Sequence, residues 1–273
     1  MNEPLISVLM GIYNCAPTLP QAIDSILAQT YTNWELILCD DGSTDDTYRI
    51  ASEYQNRYPN QIILLQNEKN MGLNYTLNHC LAAATGKYIA RMDGDDISLP
   101  ERFFKEVDFL ETHAQFALVS TPMIYFDENG EWGKGKAIAA PVLRDFVFHA
   151  PCFCHAPCMI RREAMLVVNG YTVDKRLLRF EDCNLWYKLY AAGYTGANLN
   201  ECLYKMRDDR DAQKRRTIST RLRAVYVQWQ GFDIVKMKWY WYPFLLRDLL
   251  KGIILSVMPS RMYSVLHRKK LGA

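Results

Sequence analysis

The 273-residue sequence predicts an α/β fold: a Rossmann-like, mostly parallel central sheet flanked by helices, with a helical C-terminal extension. Three observations carry this prediction. Short apolar runs alternate with helix-periodic segments through the N-terminal part of the chain, the pattern of consecutive βα units. Two of those runs end in clustered acids, Cys39-Asp40-Asp41-Gly42 and Met92-Asp93-Gly94-Asp95-Asp96, and open α/β sheets bind ligands at the carboxyl ends of their strands. Beyond residue 209 the pattern changes to interleaved aromatic and basic residues.

Leu5 to Ile12 reads as the first strand. Thr18 stands where it can cap a helix whose apolar positions Leu19, Ala22, Ile23, Ile26 and Leu27 recur at helical spacing. A strand follows at Glu35 to Cys39, and Ser43 or Thr44 can cap a helix running from Asp45 to Arg57. Ile62 to Leu65 is the third strand. Gly72 starts a helix on which Leu73, Leu77, Cys80, Leu81 and Ala84 share one face. Tyr88 to Met92 is the strand that delivers the second acidic turn, and Glu101 to His113 is the next helix. Phe116 to Thr121 then reads as a strand, and Met123 to Phe126 with Glu131-Trp132 as a hairpin closed by Asn129-Gly130. Arg161 and Arg162 start a further helix. Phe180-Glu181-Asp182 opens another, with Leu185, Leu189 and Ala192 as its buried stripe.

The acidic turns have a chemical reading. Carboxylates spaced Asp-x-Asp suit a hard divalent cation that shares its remaining positions with phosphate oxygens and water. An ordinary capped turn accounts for Ser43 and Asp45, but not for both Asp40 and Asp41 before the glycine. Two acidic strand ends in one sheet imply one shared crevice.

Composition limits the alternatives. A net charge of +2 implies neither a nucleic acid nor a strongly acidic partner. Eight scattered cysteines, several inside apolar runs, fit reduced thiols in a cytosolic protein. Cys152, Cys154, His155 and Cys158 invite a zinc reading, yet no second ligand pair stands at a zinc-site spacing. The N-terminus lacks a basic region followed by an apolar core, so no signal peptide is expected. Trp239 to Met258 is broken by Arg247, Asp248 and Lys251, short of the ~20 apolar residues of a membrane span. Trp239, Tyr240, Trp241, Tyr242, Phe244, Leu245 and Leu246 instead mix with Lys236, Lys238, Arg247, Lys251, Arg261, Arg268, Lys269 and Lys270. That mixture suits either an interfacial helix on an anionic membrane or a helical pair packed on the core.

The order of motifs resembles the inverting glycosyltransferases of family 2, which have the GT-A fold. Ile6 to Asn14, Asp40-Asp41-Gly42-Ser43-Thr44-Asp45, Asn67 to Gly72, Asp93-Gly94-Asp95-Asp96 and Glu181-Asp182 carry the likeness, and the later segments resemble bacterial capsular and exopolysaccharide members. The resemblance implies a GT-A catalytic domain over 1–208, with a nucleotide-binding half (1–100) and an acceptor half (101–208), followed by the extension at 209–273. It implies a nucleotide-diphosphate sugar donor, a UDP-sugar foremost, and a glycan or lipid-linked oligosaccharide acceptor at the inner face of the cell membrane. Mn²⁺ or Mg²⁺ would be held by Asp93 and Asp95. Ile12, Tyr13, Asp40, Asp41, Asn70, Gly72, Asp93 and Gly94 would bind nucleotide, with Tyr13 stacking on the base and Asp41 accepting from the uracil imide while Asp40 serves the turn. Asp96, His155 and Arg207 would contact sugar or pyrophosphate.

In a single inverting displacement a base must stand opposite the leaving group. The resemblance assigns that role to Asp182, beside Glu181, and the positive end of the helix is expected to keep Asp182 ionised. Processive relatives carry Gln-x-x-Arg-Trp; Gln228-Trp229-Gln230-Gly231 lacks the arginine, so one sugar per acceptor is expected. The rival readings are a sugar nucleotidyltransferase, which would need a glycine-rich basic first loop that Met10 to Asn14 does not supply, and a non-catalytic sugar-nucleotide-binding subunit of a polysaccharide assembly complex. A Rossmann dehydrogenase is excluded by the missing Gly-x-Gly-x-x-Gly.

Overall fold

The computed structural model describes residues 3–149, 151–208 and 217–257. A seven-stranded sheet forms its centre. β1 (Ile6–Ile12), β2 (Trp34–Asp40), β3 (Ile62–Gln66) and β4 (Tyr88–Arg91) run parallel, with β1 between β2 and β4. On the far side of β4, β9 (Met159–Arg161) is antiparallel both to β4 and to β6 (Leu118–Ser120), and β10 (Gly196–Asn198) closes the edge parallel to β6.

β1 shows why the strands read as nearly continuous apolar runs. Successive side chains point to opposite faces, so a strand covered by helices on both sides is apolar wherever no buried partner waits; Ser7, the polar residue of β1, is buried and donates to Glu35. Ile6, Val8 and Met10 join the cluster under α1 (Leu19–Leu27), α2 (Thr47–Arg57) and α4 (Arg102–Thr112). Leu9 joins the opposite cluster, with α3 (Leu73–Ala83), α6 (Arg162–Val167) and α7 (Glu181–Ala191). Both clusters are fully packed away from water along β1 and β2.

A second, four-stranded sheet lies past the acidic turn. Its order is β5 (Ile97–Ser98), β11 (Tyr204–Arg207), β7 (Met123–Asp127), β8 (Gly130–Lys134). β11 pairs antiparallel with β5, which carries Arg207 back to the acids that precede β5. α5 (Leu143–Phe148) packs near the C-terminal helices α8 (Ile218–Ile234) and α9 (Pro243–Val257). α8 lies directly on α7: a Cβ on Gly231 would come within 2.1 Å of the Tyr187 ring.

Several local expectations are corrected. Thr18 occupies the N-cap of α1 without capping it through its side chain; its hydroxyl donates instead to the carbonyls of Cys15 and Gly94. α2 begins at Thr47, not near Asp45. Ser43 and Thr44 turn towards Asn14, whose backbone N–H donates to Ser43 Oγ and whose Oδ1 accepts from the Thr44 N–H. Arg161 both ends β9, which fills the gap between β4 and β6, and stands at the N-cap of α6, which opens at Arg162 as expected. The hairpin loop is Glu128-Asn129, since Asp127 pairs with Gly130; Gly130 takes φ 111°, a region open to glycine. Ala192 is exposed at the end of α7, whose buried face is Leu185, Trp186 and Leu189.

Candidate active site

The first acidic turn is built to hold a loop. Asp40, fully buried at the end of β2, accepts from the Ser43 N–H and from Gln66 Nε2. Asp41 is also buried and receives the backbone N–H groups of Met71 and Gly72 and the Asn67 amide, at 2.8 to 2.9 Å. Its carboxylate thus fixes the N-terminus of α3, where Gly72 is the N-cap at φ 89°. Gly42 must be glycine: its φ is 75°, and a Cβ would meet the Asn70 backbone N at 2.9 Å. Asn70 itself is exposed.

The second acidic turn rests on buried cations. Arg91, at the end of β4 and 5% exposed, grips both oxygens of Asp93 in a bidentate ion pair. Below it, Arg102 donates to the Arg91 carbonyl while pairing with Glu106, both side chains wholly buried. The Asp93 N–H donates to the Tyr204 hydroxyl. Asp96 is buried and accepts from the Arg207 N–H at 2.8 Å. These partners leave Asp95 as the exposed carboxylate of the group. Desolvation and the neighbouring Asp93 charge hold Asp95 above the usual carboxylate range; the same two causes, with Asp95 added, push Asp96 well above it.

Asp95 opens into a cleft of about 400 Å³ lined by Tyr13, Asn14, Cys15, Thr18, Asp93, Gly94 and Arg207 among others. Tyr13 is 48% exposed there, while Ile12 just before it is buried. A Cβ on Gly94 would come within 2.9 Å of Cys15 Sγ, so the turn approaches the loop after β1 as closely as glycine allows. Arg207 lies over the Phe126 ring at 4.6 Å and donates to the Asp95 carbonyl and to Gln21 Oε1.

Asp93, Asp95 and Asp96 offer carboxylate oxygens within 4.8 Å of one another, the one such cluster of metal-ligating side chains among the described residues. The set fits a hard divalent cation: all donors are oxygens, and Asp95 is an exposed carboxylate facing an open cleft. Asp93 would contribute with lone pairs that Arg91 does not use.

Glu181, Asp182 and His155 do not line this cleft. They form a second group beside Arg91. Glu181 and Asp182 occupy the first turn of α7, and His155 bonds the Tyr171 hydroxyl at 2.8 Å and packs edge-on to Trp186. Burial, and secondarily Arg91, keep His155 far below its usual range, so the ring is neutral. Burial and the Asp182 charge raise Glu181 to about 7, and its Oε2 has no hydrogen-bond partner. Burial raises Asp182, and the Cys183 N–H and Arg91 only moderate the rise; desolvation outweighs the helix terminus.

Sequence reasoning missed the supports. Arg91 was one letter of the acidic motif, although a cation in an apolar strand immediately before three acids is itself a signal. Thr18 reads as a cap and Asn67 as part of a motif, but their bonds to Gly94 and Asp41, like that of Tyr204 to Asp93, have no local signal, because the partners lie far away in sequence.

The family model described as "Glycosyl transferase family 2" matches residues 7–167. The putative glycosyltransferase EpsE of Bacillus subtilis (strain 168) is 42% identical over 272 residues, 99% of this chain and 96% of that protein. The amylovoran biosynthesis glycosyltransferase AmsE of Erwinia amylovora is 32% identical, covering 78% of this chain and 79% of its own. WfaP of Escherichia coli, a UDP-Glc:alpha-D-GlcNAc-diphosphoundecaprenol beta-1,3-glucosyltransferase, is 29% identical over 72% of this chain and 74% of its own. Among solved structures, the mannosyltransferase PcManGT from Pyrobaculum calidifontis, in complex with GDP-Man and Mn²⁺, aligns with a TM-score of 0.66 at 18% identity, over 97% of this chain and 80% of its own.

Proposed function

The chain belongs to glycosyl transferase family 2, with a GT-A fold and relatives in polysaccharide biosynthesis, and from that premise we propose that it moves one sugar, with inversion, from a UDP-sugar to a lipid-linked saccharide. The observation that carries the reading is the cleft where Asp95, Asp93, Tyr13 and Arg207 meet. A nucleotide-diphosphate sugar presents a base, a diphosphate and a sugar, and the cleft offers an exposed aromatic ring, a guanidinium and an oxygen cluster to match. Residues 1–100 would bind the nucleotide and 101–208 the acceptor, with 209–273 as the extension. Named relatives support the finer choices: WfaP uses a UDP-sugar and a diphosphoundecaprenol acceptor by name, and PcManGT was solved with Mn²⁺. Such an acceptor puts the reaction at the inner face of the cell membrane.

Each residue then has a task. Tyr13 stacks on the base, the loop fixed by Asp41 and Gly72, with Asn70, frames the nucleotide, and Arg207 neutralises a diphosphate oxygen. Asp93 and Asp95 would hold Mn²⁺ or Mg²⁺, which when bound supplies Lewis-acid neutralisation of the leaving diphosphate. Asp96 holds β11 and Arg207 against the acidic turn, and neutral His155 orients Tyr171 beside the acceptor. Asp182 accepts the acceptor hydroxyl's proton. Its raised proton affinity makes it a stronger general base than an exposed carboxylate. Glu181, protonated more readily beside it, keeps the pair from carrying two charges.

The test is nucleotide release from UDP-, GDP- and dTDP-sugars with Mn²⁺ and a polyprenyl-diphosphate saccharide, comparing wild type with Asp182→Asn. We expect one UDP-sugar to turn over and kcat to fall by roughly 10²–10⁴-fold in the variant. Undiminished turnover in Asp182→Asn removes Asp182 as base. Tight donor binding without turnover in wild type, acceptor present, favours a binding subunit.

A further inference from the structure

We infer that α9 lays its outer face on an anionic lipid surface and so sets the acceptor half of the enzyme against the bilayer. Leu246, Leu250 and Ile254 recur every fourth residue and are 59%, 53% and 60% exposed; at about 100° per residue they form one stripe. Leu245 and Gly252 fall on the opposite side. Leu245 is buried, and Gly252 approaches the Arg221 side chain, so the helix is already seated and the stripe is what it leaves uncovered. With Arg247 and Lys251 the stripe makes a shallow apolar depression.

Three features select a bilayer over a protein partner. The rim is cationic: Arg247 and Asp248, the one acid of α9, cancel each other, which leaves Lys251, and from Lys251 to the chain end the sequence has five Lys and Arg and no Asp or Glu. Just before α9, Trp239 is 81% exposed and Tyr240 is exposed with Lys238 over its ring; such amphipathic rings favour the headgroup level. No described helix is long and apolar enough to cross a membrane. Arg261, Arg268, Lys269 and Lys270 fall outside the described residues and enter through sequence alone.

The placement has a consequence for the site. α9 packs on α8, and α8 on α7 through Gly231 and Asn184–Gln230, and α7 begins with Glu181 and Asp182. A lipid surface held by α9 is therefore two helices away from the proposed base. The inference rests on the proposed function only for its lipid-linked acceptor, and lipid binding is read apart from sugar transfer, so either can fail alone.

The experiment is co-sedimentation of the full chain with phosphatidylcholine vesicles with and without phosphatidylglycerol, at low and high salt. The variants are Leu246→Glu/Leu250→Glu/Ile254→Glu and, separately, Lys251→Glu; circular dichroism and the Mn²⁺–UDP thermal shift report on the fold of each. Wild type should prefer phosphatidylglycerol vesicles by roughly tenfold and lose the preference at high salt. The triple variant should stay in solution, and Lys251→Glu should bind several-fold less. Equal binding to both vesicles, or a folded triple variant that binds like wild type, overturns the inference. So does a wild-type dimer in gel filtration that the triple variant converts to monomer, because a second copy then covers the stripe.

Discussion

Glu181 shows how far a single side chain can be read as a physical compromise. Its carboxyl is buried beside Asp182, with one oxygen unpartnered, and titrates at about 7 instead of near 4.5. The folded state therefore binds the proton more tightly than the unfolded chain. Stability from this group is full below about pH 4.5 and is lost as pH rises through 7, because the folded state must then hold a buried charge. Glu181→Gln is neutral throughout, so its melting temperature should equal or exceed that of wild type at pH 8, with the gap closing towards pH 5. Calorimetry on both proteins across that range checks the sign; a variant less stable at pH 8 than at pH 5, relative to wild type, contradicts the burial argument. The sequence exposed the acids themselves, because carboxylates after a strand or at a helix start are visible in any register. It did not expose their ionisation. The helix terminus favours a charged Asp182, and only the three-dimensional burial of that terminus shows the opposing push on its proton affinity.

At the scale of elements, β1 to β4 and α1 to α4 were legible because each buries a face whose period is written locally. In the four-stranded sheet the β7–β8 hairpin was legible too; β9 and β5 were not, since Met159–Arg161 and Ile97–Ser98 are too short to show a period and exist only through pairing with distant strands. The seat of α8 was equally hidden. Gly231 looks like a helix breaker in sequence, yet it is the position at which α8 meets the Tyr187 ring of α7. Adding a methyl group there forces Tyr187 or the helix to move, and overpacking a close contact of this kind costs about 1–3 kcal/mol. Gly231→Ala gains helix propensity of up to ~1 kcal/mol, so the net effect should be smaller than the clash alone but still destabilising. A lower denaturation midpoint with unchanged slope is the expected result; a stabilised Gly231→Ala would mean that α8 does not rest on α7 in the way described.

The whole molecule concentrates negative charge where its two sheets meet. β4 belongs to the large sheet, β5 and β11 to the small one, and Asp93, Asp95 and Asp96 occupy the turn between them. Arg91 pairs with Asp93 and the Arg207 N–H donates to Asp96, whereas Arg91 and Arg207 only moderate the effect of burial and of the Asp93 charge on Asp95, whose raised proton affinity marks a folded state that disfavours its charge. Without a cation, then, Asp95 lowers stability as pH rises past its unfolded value near 3.8. A bound cation reverses that balance, and a diphosphate shared by the cation and Arg207 adds to it. Ligands that bind only the folded state stabilise by about 2.7 kcal/mol at a hundredfold excess over Kd, or roughly 5–10 °C in a domain of this size. Mn²⁺ with UDP should therefore raise the melting temperature by that order, UDP with EDTA by much less, and Asp95→Asn should abolish the increment while melting no lower than ligand-free wild type at pH 8. An Asp95→Asn protein that melts well below ligand-free wild type would show that the carboxylate supports the fold. The acidic turn would then be a structural joint between the sheets, and the argument for a cation would have to rest on Asp93 alone, which Arg91 already holds.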